Sequence, residues 1–197
     1  MIFHRLVRWA VYKYKENEIN RIKSRIIIGD NCMIEYPILI EGEELISIGD
    51  NVSICANSRL QTYPKLLSDP GSITIGDNCY FCYRLCIQAG GNITIEDNVV
   101  MASDVSIISY NHGYNPESDM PYMNQPLLTG TITIQRNCWI GEGVKILPNV
   151  VVGHDSVIGA GSVVTKNIPP YSVAAGNPAI VIREYDFGEH VWKRKKY

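Results

Sequence analysis

Residues 134–169 read IQRNCW-IGEGVK-ILPNVV-VGHDSV-IGAGSV-VTKNIP, which are six consecutive groups of six residues. The first residue of every group is Ile or Val, and the fifth is small or apolar. In an extended chain an even spacing keeps these positions on one side, whereas six residues are not a whole number of helical turns. The stretch therefore predicts short β-strands that share one apolar side.

The same groups recur upstream, and a longer period is superimposed on them. IGDN begins at positions 28, 48 and 75, IEDN at 95, IQRN at 134 and VGHD at 152. Three groups of six therefore close one coil of a triangular prism, with Gly, Asp and Asn at the corners because these residues tolerate tight turns. A single coil cannot bury its apolar side, so the coils must stack. We predict an all-β solenoid, a parallel β-helix of about six coils, over residues 26–183.

Two of the spacings are too long for one coil. The extra residues form loops at 61–71 and 108–130. Each loop follows the third group of six in its coil, so both leave the same edge of the prism, about 10 Å apart. Because insertions in repeat proteins usually form the binding face, we predict a mouth between these loops.

Length and composition limit the alternatives. The chain has 197 residues, enough for one domain with short appendages, and 46 % of them are apolar. The net charge of −2 does not favour nucleic acid as a partner. No apolar run approaches the roughly 20 residues of a membrane span, and Arg5 and Arg8 interrupt any secretory signal. We expect a cytoplasmic protein whose six cysteines are free thiols.

Both ends lie outside the repeat. Residues 1–25 contain seven Lys and Arg against two Glu. Their apolar residues lie at helical spacing, at Ile2, Phe3, Leu6, Val7, Trp9 and Ala10. This pattern predicts an amphipathic helix that either caps the open end of the solenoid or makes weak contact with an anionic membrane surface. We favour the cap, because a single helix anchors weakly. Residues 184–197 include four consecutive cations and are expected to form a solvated basic tail.

The 108–130 loop carries the sequence NHGY at 111–114. Of the four histidines only His112 lies in an insertion, since His4 and His190 lie near the ends and His154 falls at a corner, where we expect it to be solvated. Loops on a rigid scaffold often carry function. An imidazole titrates near neutrality and suits the transfer of a proton in catalysis. His112 is therefore the candidate catalytic residue.

These repeats resemble the hexapeptide-repeat acyltransferases over residues 28–183. The stretch NCWIGEGVKILPNVVVGHDSVIGAGSVVTKNIPPYSVAAGNPAIVIRE, residues 137–184, is similar to the C-terminal half of galactoside and maltose O-acetyltransferases. NHGY followed by QPL at 125–127 more closely resembles the acetyltransferases that modify capsule or O-antigen polysaccharides. The resemblance implies a left-handed β-helix, a homotrimer with active sites between subunits, acetyl-CoA as the donor, and a small or lipid-linked sugar as the acceptor.

Mapped onto this sequence, the resemblance implies that His112 is the general base of a direct transfer in a ternary complex. The oxyanion would be bound by backbone near Gly141 and Glu142. The residues implied at the acceptor are Asn111, Tyr114, Cys82, Arg84 and Trp139. The residues implied at acetyl-CoA are Trp139, Gly141, Glu142, Ala160, Thr165, Lys166 and Arg183. Galactoside enzymes carry an asparagine where Cys82 stands, so the acceptor pocket is expected to differ from theirs.

Two other functions remain open on this scaffold. A metal-dependent hydratase would need three histidines at one metal, and His112 and His154 supply too few ligands, so we predict no metal site. A non-catalytic scaffold or sugar-binding protein would not bind acetyl-CoA. Cys79, Cys82 and Cys86 contain a CxxC without a second pair, which is a weak zinc signal. We expect Cys79 and Cys138, at the inward fifth position, to pack in the core instead.

Overall fold

The computed structural model describes the backbone of residues 2–195 and the side chains of residues 7–195. One α-helix, α1 (Ile2–Lys23), precedes a succession of short strands, three to a coil. A 3₁₀ turn at Glu43–Leu45 lies between the first and second coils. The first three coils contain β1 (Ile27–Ile28), β2 (Met33–Ile34), β3 (Ile38–Glu41), β4 (Ile46–Ile48), β5 (Ser53–Ile54), β6 (Ser58–Thr62), β7 (Ile73–Ile75), β8 (Tyr80–Phe81) and β9 (Cys86–Ala89).

The fourth coil is followed by the long insertion, which has two strands and a 3₁₀ turn (Tyr122–Asn124) of its own. The fourth coil and the insertion contain β10 (Ile93–Ile95), β11 (Val100–Met101), β12 (Ser106–Ile108), β13 (Tyr110–Asn111) and β14 (Leu128–Thr129). The last two coils contain β15 (Ile132–Ile134), β16 (Trp139–Ile140), β17 (Lys145–Ile146), β18 (Val150–Val152), β19 (Val157–Ile158) and β20 (Val163–Val164). The chain ends in β21 (Ser172–Gly176), β22 (Ala179–Asp186) and β23 (Val191–Arg194).

Corresponding strands of successive coils pair in parallel and form three faces. The first sheet has the order β1-β4-β7-β10-β15-β18, the second β2-β5-β8-β11-β16-β19-β21-β22-β23, and the third β3-β6-β9-β12-β17-β20. The register aligns equivalent residues, so that Ile73, Ile93 and Ile132 lie opposite one another. The fold is the left-handed parallel β-helix of about six coils that the sequence predicts.

The core consists of the residues at the first position of each group of six. Ile54, Phe81, Met101, Ile140 and Ile158 occupy equivalent positions in five successive coils, and each is fully buried. At roughly 2 kcal/mol for each buried side chain of this size, such columns supply much of the free energy of folding. The stacked coils therefore form one continuous core.

The fifth position of each group also points inward. In the last two coils these buried residues are Cys138, Val144, Val150, Ser156, Ser162 and Ile168. Burial raises the pKa of the Cys79 and Cys138 thiols to about 11, so both are neutral core residues. The prediction that these two cysteines pack in the core is confirmed.

The recurring IGDN motif forms the corner between the first and second sheets. A Cβ on Gly49 would lie 2.2 Å from the Asp77 carboxylate of the next coil, so only glycine fits there. That carboxylate accepts a hydrogen bond of 2.8 Å from the backbone N–H of Asp50. Asn51 turns the chain with a φ of 57°, in the left-handed region that asparagine tolerates. The Gly, Asp and Asn residues of the motif therefore each have a separate role in the corner.

Helix α1 meets the solenoid through its C-terminal half. Ile22 is buried in the core and Ile19 packs partly against it. The Tyr14 ring packs edge-on against Tyr36 of the first coil at 5.9 Å, whereas residues 7–13 are exposed. The cap that we predicted is therefore restricted to the C-terminal half of the helix. The side chains of Ile2, Phe3, His4 and Leu6, which belong to the predicted pattern, lie outside the described residues. No helix in the described part of the chain is long and apolar enough to cross a membrane.

The described part of the predicted solvated tail, residues 184–195, is largely exposed, but it forms a hairpin that the sequence did not predict. The strands β22 and β23 form an antiparallel hairpin that extends the second sheet. The Tyr185 ring packs edge-on against Phe187 and Trp192, with centroid distances of 5.1 and 5.3 Å. Lys193 pairs with Asp186 at 2.6 Å, so the cations have partners across the hairpin. Residues 196 and 197 lie outside the described residues.

Candidate functional site: a mouth between two loops and a bare edge

The two insertions meet above the edge between the third and first sheets. A hollow of about 490 Å³ lies between them, lined by Leu66, Leu67 and Ser68 of the shorter loop and by Tyr110 and His112 of the longer one, with residues 123–127 closing it. This arrangement confirms the predicted mouth. It also places the candidate base at the mouth.

Two tyrosines join the loops. The rings of Tyr63 and Tyr110 pack edge-on at 5.4 Å, and their hydroxyl oxygens lie 3.3 Å apart. Gln88, on the outer side of the third sheet, donates a hydrogen bond of 3.0 Å to the Tyr63 hydroxyl. Burial, followed by the contact with Tyr110, raises the pKa of Tyr63, which therefore remains a neutral phenol. The two loops are thus fixed to each other and to the solenoid.

Gln125 holds the longer loop in shape, a role that the sequence analysis missed. Its buried amide accepts a hydrogen bond from the Asn115 backbone N–H and donates to the backbone carbonyls of Asn115 and Met120, at 2.9, 3.0 and 3.1 Å. A Cβ on Gly113 would lie 2.7 Å from the Gln125 Cβ, so the chain passes very close to it immediately after His112. The QPL motif contains Gln125, but the motif alone does not reveal these contacts.

His112 follows β13, which pairs antiparallel with β14. Its imidazole is exposed on the hollow and has no hydrogen-bond partner among the described residues. Asn111 is exposed beside it. Tyr114 lines a second, more apolar hollow of about 460 Å³ together with Gln125 and Leu128, so His112 and Tyr114 do not line the same hollow.

A second group of predicted residues lies on another edge, between the second and third sheets. Gly141 is buried, and a Cβ there would lie 2.6 Å from the Ala160 nitrogen. Its N–H bonds to the Ile158 carbonyl, so it is not available to an oxyanion. The N–H groups of Glu142 and Ala160 have no acceptor among the described residues, and both residues are exposed. Gly161, with a φ of 69°, leaves open space beside them.

Cys82 and Arg84 lie on the same edge, two coils earlier. Arg84 makes a bidentate ion pair with Asp104 of the next coil, with both N···O distances at 2.6 Å. The guanidinium holds the pKa of Asp104 below its ordinary value. Arg84 also has a φ of 61°, at a corner where other coils place Asn57 or Gly143. The Arg84 guanidinium is therefore already paired with a carboxylate, and Cys82 beside it is half-buried.

The remaining predicted residues are divided between two parts of the molecule. Trp139 points outward from the second sheet and is 58 % exposed, and Arg183 lies exposed in β22 of the same sheet. Thr165 and Lys166 are exposed directly after β20, on the edge from which the two loops also leave. Lys166 is therefore on the same edge as His112 but two coils further along.

The predicted residues thus occupy two edges separated by the third sheet. The seven residues from Gly141 to Leu147 cross that sheet and span roughly 15 Å. A single copy of the chain does not bring His112 together with Gly141, Glu142 and Ala160. An active site that uses both groups must combine edges from two copies.

Two other residues have partners that the sequence did not reveal. His154 is half-buried rather than solvated: its Nδ1 lies 2.7 Å from the Asp155 carboxylate, and its ring packs edge-on against Tyr171 at 4.8 Å. Cys86 accepts a hydrogen bond of 3.0 Å from Arg59 Nε. No three His, Cys, Asp or Glu side chains in the described part of the chain are arranged to hold a metal ion.

Comparison with known proteins gives three kinds of match. A family described as bacterial transferase hexapeptide (six repeats) matches residues 131–166. The chain is 30 % identical over 171 residues to the putative lipopolysaccharide biosynthesis O-acetyl transferase WbbJ of Escherichia coli K12, covering 83 % of this chain and 85 % of that protein. It is 42 % identical over 99 residues to the galactoside O-acetyltransferase of the same organism, covering 50 % of this chain and 47 % of that one.

A solved structure shows the same fold. A mutant of AntD, an N-acyltransferase from Bacillus cereus in complex with dTDP and coenzyme A, matches with a TM-score of 0.72 and 24 % identity. The match covers 83 % of this chain and 87 % of that one. At this identity the likeness concerns the fold alone.

Proposed function

Because the chain belongs to the bacterial hexapeptide-repeat transferases, we propose that it transfers an acetyl group from acetyl-CoA to a hydroxyl of a sugar in a polysaccharide precursor. The names of the two relatives support an O-acetyltransferase, and one of them supports an acceptor in cell-surface polysaccharide synthesis. The coenzyme A bound to the structural neighbour supports the donor. The reaction takes place in the cytoplasm, where acetyl-CoA is available.

The position of His112 carries the proposal. Its imidazole is exposed in a hollow of about 490 Å³, large enough for a sugar, between loops that Tyr63 and Tyr110 join to each other and Gln88 joins to the solenoid. The imidazole removes the proton from the acceptor hydroxyl as its oxygen attacks the thioester carbonyl. The C–S bond then breaks, and the imidazolium returns the proton to the departing thiolate. The acetyl group passes directly to the sugar, so no covalent enzyme intermediate forms.

The edge between the second and third sheets carries no side chain at Gly143 and Gly161 and is called the bare edge. It fits acetyl-CoA, which supplies the reactive thioester. Gly143 and Gly161 place no side chain there, so an extended pantetheine arm can lie against backbone. The free N–H of Ala160 can bond to an amide carbonyl of that arm. The free N–H of Glu142 is left to stabilise negative charge on the acyl oxygen, since the N–H of Gly141 is already bonded.

In this proposal the protein is a homotrimer, and two neighbouring copies complete each site. If the copies are related by rotation about an axis parallel to the solenoid, an edge of one copy can meet a different edge of its neighbour. Equivalent coils of the copies then lie at the same height along that axis. His112 leaves from the fourth coil, Glu142 lies in the fifth and Ala160 in the sixth, with steps of about 5 Å. Lys166 and Arg183 follow at the far end, where cations suit the phosphates of the nucleotide. This order matches the order of thioester, pantetheine and nucleotide along the donor.

The first test is transfer of labelled acetyl to a panel of free, nucleotide-linked and polymeric sugars, followed by mass spectrometry. We expect an O-acetylated sugar from the wild type and a large loss of product with His112→Ala. His154→Ala is the matched control, because His154 lies on a different edge, and it should retain activity. A product acetylated only on nitrogen, or an unchanged rate with His112→Ala, would contradict the proposal.

Mixing inactive variants tests whether two copies share one site. His112→Ala removes the base, and Ala160→Trp obstructs the bare edge, so each variant should be inactive alone. After unfolding and refolding together, mixed oligomers contain interfaces where an intact His112 meets an intact Ala160. Activity should therefore reappear in the mixture. Its absence, with mixed oligomers verified by mass, would place base and donor site within one copy.

A further inference from the structure

Helix α1 exposes an apolar and aromatic surface that the solenoid does not cover. Among residues 7–13, the large hydrophobic side chains that are exposed are Val7, Trp9, Val11 and Tyr12, and Tyr14 is half-exposed while it packs edge-on against Tyr36 of the first coil. Trp9 is 61 % exposed, an unusual exposure for the residue with the largest apolar surface. A cleft of about 380 Å³ separates the middle of the helix from the first coil. The helix of 22 residues, about 33 Å long, therefore extends beyond its contacts at Tyr14, Ile19 and Ile22.

Positive charge is concentrated on the helix, and negative charge on the rest of the chain. Residues 2–15 contain four cations (Arg5, Arg8, Lys13 and Lys15) and no acidic residue. The first 25 residues carry a net charge of +5, from seven Lys and Arg against two Glu, and the remaining 172 carry −7, from eleven Lys and Arg against eighteen Asp and Glu. An anionic surface would therefore attract the helix and repel the solenoid, so it would bind the protein by the helix.

We propose that the section of α1 formed by residues 7–15 lies on the surface of a membrane that contains anionic lipids. Trp and Tyr side chains favour the boundary between headgroups and acyl chains, and each nearby cation contributes about 1 kcal/mol at such a surface. A second copy of the helix is a poorer occupant, because it would bring two sets of cations together. One helix binds weakly, but several copies in one oligomer bind together and strengthen the attachment.

Co-sedimentation of the full-length protein with vesicles tests this proposal. The vesicles contain phosphatidylcholine alone or with about 30 % phosphatidylglycerol, at low and high salt. The test variant is Trp9→Glu/Val11→Glu. The matched control, Ile180→Glu/Val191→Glu, makes the same chemical change at exposed positions at the opposite end of the chain. Circular dichroism verifies that both variants are folded.

We expect wild type and control to bind the anionic vesicles, and the test variant to bind at least about tenfold more weakly. Binding should fall at high salt and on vesicles of phosphatidylcholine alone. Equal binding by wild type and test variant, or no binding by either, would overturn the proposal. The proposal would also be overturned if the wild type does not bind vesicles and light scattering shows that the test variant has lost its oligomer. That result would identify a second copy as the occupant of this surface.

Discussion

Gln125 offers the most direct test of how the long loop holds the candidate base. Its amide makes three hydrogen bonds within the loop, to the N–H and carbonyl of Asn115 and to the carbonyl of Met120. Gln125→Leu keeps a similar side-chain volume but removes both polar atoms. We expect this variant to loosen the loop around His112 while the solenoid remains folded, because none of these hydrogen bonds involves the core.

The magnitude follows from the three bonds. At about 1 kcal/mol for each neutral hydrogen bond, the upper limit is about 3 kcal/mol. Asn115 and Met120 are exposed, so water replaces part of the loss, and leucine is well suited to a position that is only 6 % exposed. We therefore expect a net cost of about 1–2 kcal/mol, confined to the loop. This cost changes the ratio of closed to open loop by about 5- to 30-fold.

Amide hydrogen exchange and steady-state kinetics measure this effect. Exchange in residues 113–118 should accelerate by about 5- to 30-fold. The kcat for acetyl transfer should fall, while the KM for acetyl-CoA should not change, because the proposed donor groups lie on another edge. Gln135→Leu is the matched control, since the Gln135 side chain bonds only to the backbone of His154. Wild-type exchange in Gln125→Leu would refute the assignment of these bonds, and faster exchange with an unchanged kcat would refute the link to His112.

The corners and the core give three further tests. The pKa of Asp155 lies below its ordinary value of 3.8, mainly because the Asn137 amide donates to its carboxylate. This stabilisation is present above pH 3.8 and is lost as the pH falls through the lowered pKa. The Tm of Asp155→Asn should therefore lie below that of the wild type at neutral pH, and the difference should shrink on acidification. A constant difference would contradict this. Burial raises the pKa of Cys138 to about 11, so at pH 8 iodoacetamide should label it in the native protein later than the half-buried Cys32 and Cys82. Peptide mass spectrometry reads the order, and early labelling of Cys138 would show that it is accessible. Gly49→Ala should cost about 1–3 kcal/mol and lower the Tm by about 2–10 °C, because its Cβ would lie 2.2 Å from the Asp77 carboxylate. Asp77→Ala in the same chain should recover part of this loss, whereas an unchanged Tm in Gly49→Ala would mean that the carboxylate moves aside freely.

The repeat made the solenoid predictable from sequence. A fixed spacing determines which residues point inward, and stacking applies the same rule to every coil, so buried positions such as Ile54, Phe81 and Ile140 follow from counting. The mouth was predictable as well, because the position of an insertion within its coil determines the edge from which it leaves. These inferences use only the period of the sequence and the geometry of extended chains.

Contacts outside the period were not predictable in the same way. The Tyr63–Tyr110 contact and the bonds of Gln125 depend on how two loops without a repeat fold against each other. The ion pair of Arg84 requires a left-handed residue at a corner where the sequence pattern favours Gly or Asn. The hairpin at the C-terminus was not predicted because β23 reads VWKR with all four residues exposed, and therefore lacks the alternation of apolar and polar residues that marks a strand.

The two edges of the proposed site are constrained in different ways. On the bare edge, Gly141 cannot acquire a side chain without striking the next coil, so the proposed donor contacts are tied to the stability of the solenoid. The loops at the mouth contact the solenoid through side-chain hydrogen bonds, from Gln88 to Tyr63 and from Thr62 to the Gly42 carbonyl, and contact each other through Tyr63 and Tyr110. None of these contacts involves an apolar core side chain, so the loop sequences can change together without disturbing the core. Under the proposed function, the choice of acceptor therefore lies with the two loops as a pair, and the choice of donor lies with the coil itself.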